Sequence, residues 1–233
     1  MTDDITRRRF VTTALAGSGS LLSGCTVIPG VDTTSTGSIG GQTRRPPIGV
    51  DANLRLSANM YGEQRDGEYT LAAVPYNEME GRFRRQRVIN RTGMEPGTIL
   101  VDPRSHHAYY VLSHDEAVRY GIGVGKAGFE WQGDAVIGRK AQWPRWTPPS
   151  EMIDRVPKLE KYRNGMPGGI ENPLGARALY LFANGRDTLY RLHGTPEWDS
   201  IGKSMSSGCI RFLNQDIVDL FNRVPVGTRV RVI

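Results

Sequence analysis

Residues 193–211 read HGTPEWDSIGKSMSSGCIR. They hold Cys209, one of only two cysteines, and His193, one of four histidines, sixteen positions apart. Cysteine catalysis needs a thiolate, a base to make it and donors for the oxyanion of a tetrahedral intermediate. Gly208 lets backbone approach the Cys closely, and the amides around Cys209 would supply oxyanion donors. His193 stands at the end of a predicted strand, where a side chain can project into a cleft. The spacing alone leaves two readings open: a catalytic pair, or a structural His near a buried, inert thiol.

Outward from this stretch the texture is β. Upstream, Ala176–Ala183 and Thr188–His193 flank the turn Asn184-Gly185, a strong hairpin signal. Thr98–Asp102 and Ala108–Leu112 are short apolar runs separated by Asp-Pro and Ser-His turn material, which predicts another hairpin. Arg119–Val124 and Asp134–Trp143 read as further strands. Between them and the first hairpin, Pro144–Pro157 holds four prolines and predicts a loop with a short helix near Glu151–Arg155. Asn164–Gly175 is again rich in Gly and Pro. Trp131, Trp143, Trp146 and Tyr162 surround this region, either as a substrate-stacking lid or as packing that orders a long loop. Downstream, Asn214 is placed to cap a helix whose stripe is Ile217, Val218, Leu220, Phe221 and Val224. Thr228–Ile233 closes the chain as a strand.

The N-terminal quarter is different. Thr6-Arg7-Arg8-Arg9-Phe10 precedes a weakly apolar stretch, Phe10–Leu22, too short to span a bilayer. It fits a twin-arginine export signal. The stretch ends Leu22-Ser23-Gly24-Cys25, similar to a bacterial lipobox, in which the Cys is lipidated and becomes the mature N-terminus. Residues 1–24 are therefore expected to be a signal peptide and residues 25–50, rich in Gly, Ser, Thr and Pro, a flexible tether. The resulting expectation is a protein exported by the twin-arginine route, periplasmic and lipid-anchored through Cys25 to the inner or outer membrane. Residues 51–96 are read as an N-terminal extension packed on the main domain, residues 97–233. The arginines at 82, 84, 85 and 87 suit either a solvated face or an anionic partner.

Composition narrows the classes. Thirty Lys+Arg against 24 Asp+Glu give +6, in a chain 38% hydrophobic and 23% charged. The leader's three Arg and two Asp remove one, leaving +5. Without a basic stripe interleaved with aromatics, nucleic-acid binding has no support. Two cysteines 184 positions apart make neither a disulfide scaffold nor a Cys-rich zinc site. His106, His107 and His114 lie within nine residues, but adjacent histidines point their rings apart and no acidic spacing completes a zinc set. No metal and no cofactor are expected. With Cys25 committed to lipid, Cys209 is a lone thiol in an oxidising compartment, which is unusual unless it serves chemistry.

The motif residues match a family pattern. His193-Gly194-Thr195, then Ile201-Gly202, then Ser206-Ser207-Gly208-Cys209-Ile210-Arg211 resemble the L,D-transpeptidase catalytic domain (the YkuD-like family). Ile122–Lys126 and Asn172-Pro173-Leu174-Gly175 are similar to two further family segments, so the resemblance covers about residues 97–233. It implies a mainly β fold, an L,D-transpeptidase-like β-sandwich with a few short helices. It implies that Cys209 attacks the diaminopimelate–D-Ala carbonyl of a peptidoglycan tetrapeptide stem, releases D-Ala and passes the thioacyl group to an acceptor amine. By the same resemblance His193 is general base and acid, the Gly194 carbonyl orients it, and backbone at Gly208 and Cys209 forms the oxyanion loop. Arg211 is a candidate for a substrate carboxylate, with a structural salt bridge as the other reading. Ser206, Ser207, Tyr180 and Trp198 complete the candidate substrate contacts. Many members carry His where this chain has Ser207, which leaves His193 as the motif's only base. Two other functions stay open: an L,D-carboxypeptidase or hydrolase using the same Cys-His site, and a non-catalytic peptidoglycan-binding lipoprotein. Acceptor identity and oligomeric state are not legible.

Overall fold

The structure, a computed structural model, describes residues 59–125, 131–205 and 209–233. The expected signal peptide, Cys25, the tether, Ser206, Ser207, Gly208 and Lys126 lie outside the described residues.

Two long strands organise the domain. β6 (Glu116–Gly125) and β7 (Gly133–Gln142) each run ten residues, twice the length of an ordinary strand. Each serves two sheets. The first half of β6 pairs antiparallel with β5 (His107–Val111) and β3 (Gln86–Ile89). Its second half pairs with β11 (Ile210–Leu213) and the two-residue β10 (Ser204–Met205). β7 likewise pairs through Gly133–Val136 with β12 (Arg229–Val232) and from Val136 onward, across an irregularity at Ile137–Arg139, with β8 (Arg177–Ala183). Strands that bend from one sheet to the other at such irregularities make the corners of a sandwich. One sheet is therefore β11-β9-β8, with β9 covering Arg186–Thr195, and the other is β12-β4-β5, with β4 covering Ile99–Asp102. The fold is mainly β and sandwich-like, with few short helices.

The core between the sheets follows the alternation. Ile99, Val101, Val118, Tyr120, Ile122, Ile137, Leu179, Leu181, Leu192, Ile210, Phe212, Val230 and Val232 are all buried there. The helix α2 (Asn214–Arg223) lays Ile217, Leu220 and Phe221 onto the same core, as its apolar stripe demands. Gly121 marks where β6 turns the corner: a Cβ there would sit 2.7 Å from Phe83 Cβ, so only glycine admits the approach.

Residues before the main sheets are stitched to them. The hairpin β1 (Gln64–Asp66) and β2 (Tyr69–Leu71) turns at Gly67 (φ 66°). Tyr61, Val74, Met79 and Phe83 form a second buried cluster with Ile201 and Leu213. The Asp66 carboxylate accepts two hydrogen bonds of 2.6 Å from the Arg177 guanidinium, which is 4% exposed. Arg85 reaches Asp216 (3.6 Å) and Asp219 (3.1 Å) on α2, and the Tyr61 hydroxyl donates to Asp216 (3.2 Å). The arginine segment divides accordingly: Arg85 is half-buried in this network, and Arg87 pairs with Glu116 at the surface. Among the described residues no helix is long and apolar enough to cross a membrane.

Candidate active site

β9 and β11 run parallel and adjacent, pairing His193 with Arg211. On the other side of β9, His193 pairs with Ala178 of β8. Because side chains alternate along a strand, Arg191, His193 and Arg211 share one face, away from core residues Leu192, Ile210 and Phe212. Cys209, two residues before Arg211, belongs to the same face. Its own carbonyl accepts from the Gly125 amide at 2.9 Å, which pins the chain just before β11 begins.

His193 is 4% exposed, and its Nδ1 lies 2.7 Å from the Gly194 carbonyl. A carbonyl only accepts, so Nδ1 carries the proton and Nε2 presents a lone pair. Burial lowers the imidazole pKa to about 4, the positive charges of Arg211 and Arg191 act in the same direction, and the Gly194 hydrogen bond opposes them. The ring is therefore neutral at pH 7, poised to accept a proton. Burial also pushes the Cys209 thiol up, against the pull of the Arg191 backbone amide and guanidinium. The thiol donates to the Leu189 carbonyl at 3.7 Å. At rest, thiol and imidazole are both neutral, so attack requires the proton to move in the reaction itself.

Backbone holds the base in place. Gly194 packs so closely that a Cβ would run into the Asn214 side-chain oxygen and come within 3.1 Å of the Ala176 nitrogen. Asn214 Oδ1 accepts from the Ala176 amide at 2.9 Å. The expected helix cap is thus corrected: Asn214 is the first residue of α2, Leu213 stands at its cap position without a side-chain bond, and Asn214 ties the helix to the start of β8. Gly175 (φ 59°) completes this packing.

The Pro-rich region arches beside His193. It comprises α1 (Ser150–Arg155) and a 3-10 turn, Pro157–Tyr162. Together with the strands it encloses a cleft of about 550 Å³ lined by Trp146, Lys158, Tyr162, Glu171, His193, Glu197 and Arg211 among others. Buried Asn172 anchors its base, donating to the Pro144 (3.0 Å) and Pro167 (2.9 Å) carbonyls while accepting from the Leu174 amide (2.9 Å). Of the four aromatics around the loop, Trp146 and Tyr162 line the cleft. Trp143 packs on Tyr69 (4.2 Å between centroids) and Trp131 on Tyr190 (5.2 Å).

The remaining candidates fall out differently. Arg211 lines the cleft beside His193 and holds Glu197 at 2.6 Å. Tyr180 shares the face of His193 but is 5% exposed, covered by the guanidiniums of Arg139 and Arg191. Trp198 is away from the cleft: it packs against the cluster of Tyr61, Phe83 and Ile201, because its short 3-10 turn (Trp198–Ser200) faces the N-terminal segment. His106 and His107 bond separate partners, Ser204 and the Arg82 carbonyl. Among the described residues no group of three or more His, Cys, Asp or Glu could hold a metal. Sequence reasoning passed over Leu189, Arg191, Glu197 and Lys158. Only Glu197 carries a signal, as a charge inside the 193–211 motif segment; Lys158 falls just past the Pro-rich stretch that ends at Pro157.

The model of the YkuD family, the L,D-transpeptidase catalytic domain, matches residues 96–232. The probable L,D-transpeptidase ErfK/SrfK of Escherichia coli is 39% identical over 139 residues, 58% of this chain and 43% of that protein. The probable L,D-transpeptidase YbiS of the same organism is 34% identical over 153 residues, 64% of this chain and 48% of that protein. The chain thus spans a little under half the length of these curated relatives. A solved Brucella melitensis structure, described as a probable carnitine operon oxidoreductase, is 48% identical, covering 68% of this chain and 99% of that one at a TM-score of 0.47. The family match takes in β4 to β12, and the chain belongs to the L,D-transpeptidase catalytic-domain family.

Proposed function

We propose that this chain is a peptidoglycan L,D-transpeptidase. The supporting observation is a neutral His193, fixed by the Gly194 carbonyl with its Nε2 lone pair available, on the face that carries Cys209. A tetrapeptide stem lies in the cleft under the Pro-rich arch, and Cys209 Sγ attacks the carbonyl between diaminopimelate and D-Ala. His193 Nε2 takes the thiol proton as the S–C bond forms, and the tetrahedral oxyanion is held by backbone amides at Cys209 and its neighbours. Collapse breaks the C–N bond, and His193 returns the proton to the departing D-Ala amine. An acceptor amine then attacks the thioester, His193 takes the amine's proton, and the proton passes back to the leaving thiolate.

The neutral resting pair suits an extracytoplasmic thiol, since a protonated sulfur oxidises more slowly than a thiolate. Export through the twin-arginine route and lipid attachment at Cys25 belong to the same proposal. They rest on the order of basic patch, apolar stretch and lipobox, and incorporation of labelled palmitate into the wild-type chain but not the Cys25→Ser chain checks them. The catalytic reading is tested by D-Ala release from a purified tetrapeptide donor. Wild-type protein is expected to release D-Ala and Cys209→Ala none; release undiminished in Cys209→Ala would sink the proposal.

A further inference from the structure

The outward face of the other sheet carries a row of its own, with the core between it and His193. The register sets Leu100 of β4 beside Tyr109 of β5, Tyr109 beside Arg119 of β6, and Arg119 beside Gln86 of β3. Their chain neighbours Ala108, Val118 and Tyr120 point into the core, so this row points out. Leu100, Tyr109 and Arg119 line a cavity of about 490 Å³, together with Ile89, Arg91 and Asp102 among others. None of these residues lines the catalytic cleft. Arg119 is half-buried, and its Nε is buried with no hydrogen-bond partner among the described residues. Arg84 and Arg177 also bury an unbonded Nε, but both bond through their terminal nitrogens. Arg85, Arg177, Arg191 and Arg223 each hold a carboxylate, from Asp216, Asp66, Asp187 and Asp219 respectively. Among the described residues no carboxylate stands within ion-pair distance of Arg119 or Arg91. The one acid on the cavity wall, Asp102, turns its Oδ1 to the amides of Arg104 and Ser105, at 3.1 and 3.2 Å. The loop that carries Arg91 is pinned by Asn90, whose Nδ2 donates to the Ser113 and His114 carbonyls at 3.0 and 3.2 Å. Asn90 Oδ1 accepts from the Thr92 amide at 3.0 Å, so the wall of the cavity is fixed on both sides of Arg91.

We propose that this cavity is a second binding site, outside the catalytic cleft, for the phosphate group of a phosphate ester, with Arg91 and Arg119 as its cationic partners. A partly buried guanidinium with an unbonded N–H is costly, and a ligand phosphate supplies the acceptors that the protein does not. Charge favours phosphate over carboxylate. A phosphomonoester carries about −1.5 to −2 near neutral pH, which two guanidiniums match and a single carboxylate does not. The Tyr109 hydroxyl stands beside Arg119 and adds a donor. Val88, Leu100 and Ile89, the last 71% exposed, give the organic part of the ester an apolar rim. Two sources share this chemistry, a soluble phosphate ester and a phospholipid headgroup. With a headgroup bound, the catalytic cleft, on the opposite face of the sandwich, is turned away from the lipid surface.

The test uses the full chain. Glycerol 3-phosphate and inorganic phosphate are titrated calorimetrically, with acetate as the carboxylate control, and phosphatidylglycerol vesicles are offered in flotation. Wild type is expected to bind glycerol 3-phosphate about tenfold or more tightly than acetate. Arg91→Gln and Arg119→Gln are each expected to weaken that binding by about tenfold or more, the scale of a hydrogen bond to a charged group. Arg186→Gln removes an equal charge from an exposed position at the start of β9 and is expected to change nothing. Asp102→Asn, which lifts a like charge from the wall, is expected to tighten binding. Arg91 is exposed, so Arg91→Gln keeps the test decisive should Arg119→Gln fail to fold. Flotation that falls in the Arg91 and Arg119 variants but not in Arg186→Gln assigns the site to a headgroup. Calorimetric binding that falls in those variants, with flotation unaltered, assigns it to a soluble ester. No binding of any phosphate probe, acetate binding as tight as phosphate, or binding indifferent to both arginines overturns the proposal.

Discussion

At the scale of single residues, the proposed chemistry turns on the protonation state of His193. Its pKa is lowered to about 4 by burial, so the base stays neutral through most of the acidic range. The acid limb of kcat/KM is therefore expected to have its midpoint near 4 rather than at the ordinary imidazole value of 6.5. A pH–rate profile with a limb at 6.5 would contradict a buried, neutral base. Cys209 and His193 were both legible in the sequence as members of a spaced motif. Leu189 was not. It adopts φ 61° in an irregular stretch of β9 and presents its carbonyl to the Cys209 thiol while its side chain remains exposed. A left-handed leucine has no sequence signature, since the conformation is imposed by the pairing around it. Arg191 was hidden for a related reason: a charged residue inside a strand reads as a solvent-facing one until its stacking ring and its carboxylate are both in place.

At the scale of elements, the junction of β9 with α2 decides how well the base is aimed. Gly194 supplies the carbonyl that orients His193, and no Cβ fits between it and Asn214. Gly194→Ala is expected to lower kcat by at least tenfold, because even a small misplacement of a positioned catalytic group is costly. Steady-state kinetics with a tetrapeptide donor checks this, and a Gly194→Ala enzyme with unaltered kcat would remove the junction from the mechanism. Asp216, also on α2, gives a pH prediction of opposite sign to that for His193. Burial pushes its carboxyl up to about 7, with like-charged Asp219 adding and Arg85 and Tyr61 opposing. A folded pKa raised above its ordinary 3.8 means that the folded state holds a proton the unfolded state has lost. That stabilisation is present at low pH and disappears as pH rises towards 7. Asp216→Asn abolishes the titration, so melting temperatures of the variant are expected to gain on wild type between about pH 4 and pH 7. A constant difference across that range would contradict the assignment. The helix was legible from its apolar stripe; the use of Asn214 as a tie to Ala176 was not, because a residue suited to a cap is equally suited to any nearby amide.

At the scale of the molecule, the described segment before residue 97, residues 59–96, is part of the folded structure. Its Asp66 neutralises Arg177, whose guanidinium is buried at the start of β8, a few residues from the cleft. Asp66→Ala strands that charge, and the expected loss of stability is about 3–5 kcal/mol, the usual cost of breaking a buried ion pair from one side. Equilibrium urea unfolding measures it; a loss within experimental scatter would show that Arg177 finds another partner or water. The short strands of the main sheets were visible as apolar runs bounded by turn residues, and β4, β5, β8 and β12 fall within a residue or two of those runs. The corners were not visible. β6 and β7 each change sheets midway, and Gly121, Gly123 and Gly138, which break the apolar pattern, sit where neighbouring backbone or a ring presses in. Trp198 was misplaced for a similar reason, since the cluster that claims it is built by Tyr61, Val74 and Phe83, more than a hundred positions away. Local pattern carries no information about which distant segment will cover an aromatic ring.

The central claim is that acyl transfer runs through Cys209 with His193 as its base. Incubation of the full chain with a tetrapeptide donor, followed by intact-mass measurement and peptide mapping, tests it most directly. The predicted result is an added mass equal to the donor less D-Ala, located on the peptide containing Cys209 and absent from Cys209→Ala. D-Ala release with no adduct on that peptide, or an adduct on another residue, would contradict it.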